Sequence, residues 1–499
     1  MRKVELWWRI PLAMIGGLIA LYIFPTENIW VLSPLVPALI LIATLGMGFR
    51  LALLTGFIAG QVYYIAHIEW ISLYLGPVPL LALSTLMSVY FALGVGLTSW
   101  LWKRLKPKTN QYIWFAVLAA AIWIAREWLA MSFPYGGFPW SRLGMAQAHG
   151  PWGNWAYFGG ISLVGFAVAL IGSLLAVIAV GARKRGFPLR LATISAALIA
   201  TMPAIFPLGL LNQTDRTATI AAVQGNANAG LFSNLTPGTI LNNHIQATKL
   251  VSETDLADEL DLIVWPENAS DVDPLRSDEA RGAIDKIAKE FDAPFTFGTV
   301  TKSGDDVYNS TLLWSPTEGP IDQYDKKRPV PFAEFVPDRP FWRALAPDLI
   351  DLVPRGYSFG ERDGIFELEE FMAGTLICFE IAIDQIPREL ANSGAEVILS
   401  QTNNADFGYS DETYQQAAIA KLRAIETGRS VVNISTVGLS AIYLPDGKTL
   451  NELTWYQPGA MVNKVPLYSA ITPAVFIGGW IDALIAALGV LSLVVIRRR

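Results

Sequence analysis

Residues 373–382 read AGTLICFEIA, and this decade holds the only cysteine in a chain of 499 residues. A near-continuous apolar run of this length predicts a strand covered on both faces, as in an α/β sheet, rather than one with a wet side. The run ends in Cys378, and an acid, Glu380, follows two residues later. Such a thiol is either core filling or a nucleophile held on a rigid strand.

Similar short runs recur between residues 216 and 466: TATIAAVQGN, LDLIVWPEN, PFTFGTV, YNSTLLWSP, AEVILSQTNN and RSVVNISTVGLSAIYL. The stretches 238–258, 276–290 and 411–427 between them read as helices. The last follows Ser410, carries Asp411 and Glu412 in its first turn and stops at Gly428. A β-α-β-α order that closes on a hairpin predicts an α/β sandwich.

The rest of the chain obeys a different solvent. Hydrophobic residues make up 53% of the protein and charged residues only 16%, too apolar for an ordinary soluble chain. Only four carboxylates precede residue 212, namely Glu5, Glu27, Glu69 and Glu127. A helix spans a bilayer with about 20 apolar residues. Candidates lie near 8–24, 29–47, 51–71, 78–102, 112–130, 160–181 and 189–210, with a last one near 471–496. The expected domains are therefore a bundle of seven helices over 1–212, a soluble domain over 216–466, and a final helix with a basic tail over 470–499.

Basic residues orient the bundle. Arg2, Lys3 and Arg9, then Arg50, KRLKPK (103–108), ARKRGFPLR (182–190) and Arg497 to Arg499 fall at one set of ends. The opposite loops carry Arg126 and Arg142. Both termini are thus expected in the cytoplasm and the soluble domain outside it. PTENIW after the first span lacks a small-residue cleavage site, so an uncleaved anchor is expected. GFPW (137–140), in the external loop between the fifth and sixth spans, reads as part of an interfacial aromatic belt. Arg126 and Glu127 near a span end are either snorkelling charges or a functional site at membrane depth.

One cysteine leaves no intrachain disulfide framework and no cysteine-based metal cluster. The three histidines, His67, His149 and His244, are far apart without ligand spacing. His244, the only one in the soluble part, reads as a surface helix residue, which argues against serine–histidine catalysis as well as zinc or haem. No cofactor, metal or nucleic-acid partner is expected.

Three segments set reactive groups at strand ends or in a loop, where open α/β sheets assemble their sites. IVWPEN ends a strand at Glu267; QYDKKRPVPFAEFVP (323–337) carries Lys326 and Glu334; LICFE carries Cys378 and Glu380. A thiol needs a base before it attacks an acyl carbon. A desolvated carboxylate such as Glu267 can take the proton and return it to a leaving group. An ammonium such as Lys326 can hold the oxyanion, with Glu334 and Glu380 orienting the lysine or an entering amine. Each residue alone is ordinary surface or core filling, so the motif context carries the reading.

The ordered set WPEN, YDKKRPVPFAE and CFE behind a membrane segment resembles the apolipoprotein N-acyltransferase family. REWL, GFPW, VQGN, YNS, SQTNNADFG and RAIETGR extend the resemblance over nearly the whole chain. It implies a nitrilase-superfamily αββα sandwich beside about eight transmembrane helices. It implies Glu267 as base, Lys326 as oxyanion stabiliser and Cys378 as nucleophile, supported by Glu334, Glu380 and Phe379. Lys326 is preferred to Lys327 because it follows YD and stands eight residues before Glu334. Substrate-binding candidates are Phe232, Asn403, Phe407 and Arg126.

The implied reaction takes an acyl chain from a phospholipid onto Cys378 and then to the α-amine of a diacylglyceryl apolipoprotein. The implied setting is a monomeric, multi-pass protein of the bacterial inner membrane. RPFWRALAPDLIDLVP (339–354) reads either as a lid dipping into lipid or as a packed amphipathic helix. Departures from the family pattern fall at Phe232, Phe379, Pro329, Asp406 and STVG (435–438). They bear on substrate preference more than on the chemistry. The rival functions are a membrane-tethered nitrilase-type amidase and a non-catalytic membrane scaffold.

Overall fold

The computed structural model describes residues 6–106, 111–181, 189–205, 214–227, 229–230, 235–353 and 356–497. The expected substrate-binding residue Phe232 lies outside them. The chain divides into two compact units, Met1–Pro207 with Pro473–Arg499, and Leu208–Thr472.

Among the described residues of the first unit, five helices are long and apolar enough to cross a membrane. They are Phe49–His67, Pro77–Leu105, Gln111–Ala130, Pro151–Gly181 and Pro473–Ser492. Three of the eight expected spans appear instead as shorter apolar helices, Trp7–Ile23, Trp30–Thr44 and Ala192–Met202. The first is the helix Leu6–Leu18 followed by the one-turn helix Ala20–Ile23, and the second stops before Gly46, whose φ is +81°. Small residues let helices approach. A Cβ on Gly56 or Gly60 would lie 3.1 Å from the Cα of Ala92 or Ser88 on the facing helix.

Arg126 and Glu127 do not snorkel. Both are 5% exposed, and the Arg126 guanidinium lies 3.4 Å from Glu127 Oε1. Arg126 donates to the Tyr64 hydroxyl at 2.9 Å and sits over the rings of Phe91 and Trp123. Glu127 Oε1 also accepts from Trp123 Nε1 and from the backbone N–H of Leu143. Charges without water need such partners, and here they bind helices and a loop together.

The second unit is a sandwich of two six-stranded sheets. The first comprises β1 (Thr217–Gln224), β2 (Leu262–Val264), β3 (Phe295–Ser303), β4 (Asp306–Ser315), β5 (Gly319–Asp325) and β12 (Gly459–Pro466). Their order is β12-β1-β2-β3-β4-β5, with β1, β2 and β3 parallel. The second comprises β6 (Ile365–Glu367), β7 (Met372–Ile377), β8 (Val397–Thr402), β9 (Ser430–Ser435), β10 (Ser440–Tyr443) and β11 (Thr449–Leu453). It runs β11-β10-β9-β8-β7-β6, with β7, β8 and β9 parallel.

Alternation along the buried strands divides their side chains between two cores. Ile220, Ala222, Val264, Leu399, Val432 and Ile434 meet between the sheets. Ala221, Val223, Ile263, Phe295 and Phe297 face outward onto Leu241, Ile284 and Ile287 of the helices Thr239–Thr248 and Asp278–Phe291. This gives the αββα layering.

His244 corrects the sequence reading: it is fully buried, not at the surface. Its ring fills the space left by Gly225 of VQGN, where a Cβ would come within 2.6 Å of it. Its Nδ1 pairs with Ile240 O at 3.0 Å, and burial pushes its pKa down to about 4. The histidine is a neutral core group, which agrees with its exclusion from catalysis.

Candidate active site

The site is built where strand ends from both sheets meet. Beyond β2 the chain passes through Trp265 and Pro266 to Glu267, which is 4% exposed. Gly298 of β3 permits this path, since a Cβ there would lie 2.6 Å from Glu267 Cα. Beyond β5 stands Lys326, 1% exposed. Its backbone N–H donates to Asn309 O at 2.8 Å, so β4 fixes where the side chain starts.

Beyond β7 stands Cys378, with φ +54°, a left-handed conformation that costs a non-glycine residue about 1–3 kcal/mol. The strain turns the thiol off the strand end, and neighbouring groups hold it there. Glu380 Oε2 accepts from the Ile377 N–H at 2.9 Å and the Tyr324 hydroxyl at 2.9 Å; Glu380 Oε1 accepts from the Arg328 N–H at 3.0 Å. Glu380 thereby ties the cysteine turn to the lysine loop. Arg423, fully buried on the helix Glu412–Thr427, donates to the carbonyls of Ile381 and Ala382 at 2.8 and 2.9 Å and braces the same turn from below.

The three reactive groups converge. Lys326 Nζ lies 3.4 Å from Glu267 Oε1, 3.0 Å from Glu334 Oε1 and 2.9 Å from Glu334 Oε2. The Glu267 carboxyl and the Cys378 thiol lie near enough for each to shift the other's proton affinity. Glu334 is anchored by the Val330 N–H at 2.7 Å. Asn309 Nδ2 donates to Glu267 at 2.7 Å and to Glu334 at 2.8 Å, bridging the two carboxylates. Asn309, inside the motif YNS, went unassigned by sequence reasoning; its signal was its place in that motif.

Electrostatics follows from crowding. Burial raises the Glu267 carboxyl above the ordinary glutamate range; Lys326 pulls it back and Glu334 pushes it up again. Burial opposes the Lys326 charge, yet Glu334 and Glu267 outweigh it and hold the ammonium well above the usual lysine range. Burial and then Glu267 push the Cys378 thiol up to about 12. The resting sulfur is therefore a protonated thiol beside a base of raised basicity, not a free thiolate. The residue as a whole keeps partial exposure.

Other expected residues fall as follows. Asn403 donates to Ala229 O at 2.9 Å and accepts from Thr436 Oγ1 at 2.8 Å, so it pins two loops. Phe407 ends the short turn Ala405–Phe407, partly exposed, and Phe379 is partly exposed beside the thiol. Arg126 belongs to the first unit, with the partners given above. Over 339–353 the chain forms two short helices, Arg339–Leu345 and Pro347–Ile350, closed by Arg339 on the carbonyls of Val353 and Ile350. Phe341, Leu345 and Leu352 point outward and are exposed. Among the described residues no cluster of His, Cys, Asp and Glu could hold a metal ion.

Two family models match the chain. The apolipoprotein N-acyltransferase N-terminal domain matches residues 16–174, and the carbon–nitrogen hydrolase domain matches residues 219–471. The apolipoprotein N-acyltransferase of Mycolicibacterium smegmatis is 33% identical over 525 residues, covering 97% of this chain and 84% of that protein. That of Vibrio cholerae is 27% identical over 472 residues, covering 92% and 91%. Among solved structures, an amidase from Nesterenkonia sp. superposes on 51% of this chain and 93% of its own, at 19% identity and a TM-score of 0.39.

Proposed function

Because the chain belongs to the apolipoprotein N-acyltransferase family, we propose that it carries a fatty acyl chain from a phospholipid, through a Cys378 thioester, to the N-terminal amine of a diacylglyceryl apolipoprotein. The observation that supports this most is the convergence of Glu267, Lys326 and Glu334 on one partly exposed sulfur.

In the first half-reaction Glu267 takes the thiol proton as sulfur attacks the ester carbonyl. The Sγ–C bond forms, the ester C–O bond breaks, and the same proton goes to the departing lysophospholipid alkoxide. Lys326 faces the oxygen that becomes negative at the tetrahedral stage. In the second, the amine nitrogen attacks the thioester, the C–S bond breaks with its electron pair passing to sulfur, and Glu267 relays a proton from nitrogen back to it. Glu334 and Asn309 hold the lysine and the base in register; Glu380 and Phe379 support the cysteine turn.

The donor is a bilayer lipid because five long apolar helices keep the enzyme in a membrane. Alternation of Lys and Arg supports a catalytic domain (216–466) outside the cytoplasm in a protein of the inner membrane, with the bundle over 1–212 before it in sequence and the last helix over 470–499 after it. Exposed Phe341, Leu345 and Leu352 form a lipid-contacting lid. The protein acts as a monomer, since one chain supplies every catalytic group.

The test is transfer of a labelled acyl chain from phospholipid vesicles to a diacylglyceryl-cysteine peptide by purified protein. Wild type should yield the N-acylated peptide and Cys378→Ala none. Equal product from both, or release of free fatty acid alone, contradicts the proposal.

A further inference from the structure

The helix Glu412–Thr427 packs against the turn that carries Cys378, and one of its side chains reaches the sulfur. Gln416 Nε2 lies 3.5 Å from Cys378 Sγ, a donor distance for a large acceptor such as sulfur. Gln416 is 2% exposed, so this N–H has no water to turn to.

The direction of the amide is dictated by its other partners. Gln416 Oε1 accepts from Thr402 Oγ1 at 2.6 Å and from Asn404 Nδ2 at 2.8 Å. Reversing the amide would set its N–H₂ against the Asn404 N–H₂, two donors facing each other. Asn404 is locked in turn. Its Oδ1 accepts from Ser435 Oγ at 2.5 Å, and its Nδ2 also donates to Glu412 Oε2 at 2.6 Å. Ser435 Oγ itself accepts from the backbone N–H of Gly438 at 2.9 Å. Gly438 allows that approach: a Cβ there would lie 2.2 Å from Asn404 Oδ1. A backbone N–H thus feeds a one-way chain, Gly438 to Ser435 to Asn404 to Gln416, which ends with a donor aimed at sulfur.

We propose that Gln416 is a further catalytic residue, whose amide stabilises the negative charge on Cys378 Sγ when the thiol gives up its proton and again when sulfur leaves the acyl carbon. Asn404 and Ser435 are positioning residues that act through it. The need for such a donor is visible in the surroundings. The titratable groups facing the sulfur are Glu267, Lys326, Glu334 and Glu412, three carboxyls against one ammonium. Lys326 is already engaged by Glu334 and Glu267. A neutral N–H supplies stabilisation without adding a charge that would trap the thiolate.

The inference rests on Cys378 as nucleophile, so the deciding readout is the thiol itself, with acyl transfer read beside it. Cys378 is the only cysteine, so iodoacetamide labelling of the full-length protein reports on that sulfur alone. Gln416→Met keeps the bulk and removes the donor; Gln416→Glu keeps the shape and presents an acceptor. Both should be labelled roughly 10- to 100-fold more slowly at neutral pH, the cost of one hydrogen bond to a charged group. The pH profile should move upward, and acylation should lose kcat while KM for phospholipid holds. Asn404→Leu should fall between these variants and wild type.

Labelling of Gln416→Met at the wild-type rate across the pH range overturns the inference. Should that variant not fold, wild-type labelling of Gln416→Glu does so instead. Absence of a thioester on wild-type Cys378 would sink the transferase mechanism and is a separate result.

Discussion

Two of the molecule's buried charge clusters do opposite things. In the membrane unit Arg126 and Glu127 are one cation and one anion, wrapped by Tyr64, Phe91 and Trp123. In the sandwich, Lys326 is shared by Glu267 and Glu334 beside a partly exposed thiol. The first cluster balances one cation with one anion and closes on itself, tying helices and a loop together. The second is over-supplied with carboxylate and open at the sulfur, so a proton there has somewhere to go. Burial alone does not mark a catalytic charge; imbalance beside an accessible nucleophile does.

The comparison can be broken most sharply at Cys378. Cys378→Ser should lower acyl transfer on the order of 10³-fold or more, with an unchanged thermal midpoint. Glu267→Gln should cost roughly 10²- to 10⁴-fold in the rate of thioester formation, because the thiol keeps its proton. Lys326→Met should cost roughly 10²- to 10³-fold in the same assay. In the other cluster, Arg126→Leu should act on stability. Leaving Glu127 buried without its cation should cost about 3–5 kcal/mol, seen as a lower unfolding midpoint in detergent. The smallest effect is the acid limb of the pH profile. Since burial raises the Glu267 carboxyl, thioester formation should fall as pH drops through a midpoint above the ordinary glutamate range. A midpoint at or below that range would show the base to be well solvated.

Much of this was legible because the chemistry sits in local sequence. Glu267 follows an apolar strand and a proline, Lys326 and Glu334 share one short loop, and Cys378 ends a run no soluble surface would tolerate. Those patterns marked the residues that the fold brings together and the layered sheets. Gln416 was not legible: the helix 411–427 was found, but which residue meets the sulfur depends on how it packs against β7 and β8. Glu412 looked like an ordinary first-turn acid, yet it is buried and pushed up to about 8. His244 misled for the same reason, since the space it fills is made by a glycine distant in sequence. Helix number was legible in part: of the eight apolar stretches that composition marks, five form long apolar helices among the described residues and three form shorter ones.

The claim on which everything turns is that the sulfur of Cys378 becomes acylated by lipid. Purified protein incubated with phospholipid lacking an acceptor peptide, then measured by intact mass, tests it directly. One acyl chain should add, map to the peptide containing Cys378, and disappear with hydroxylamine or on addition of a diacylglyceryl peptide. An unmodified protein, or an adduct on any other residue, would contradict the account.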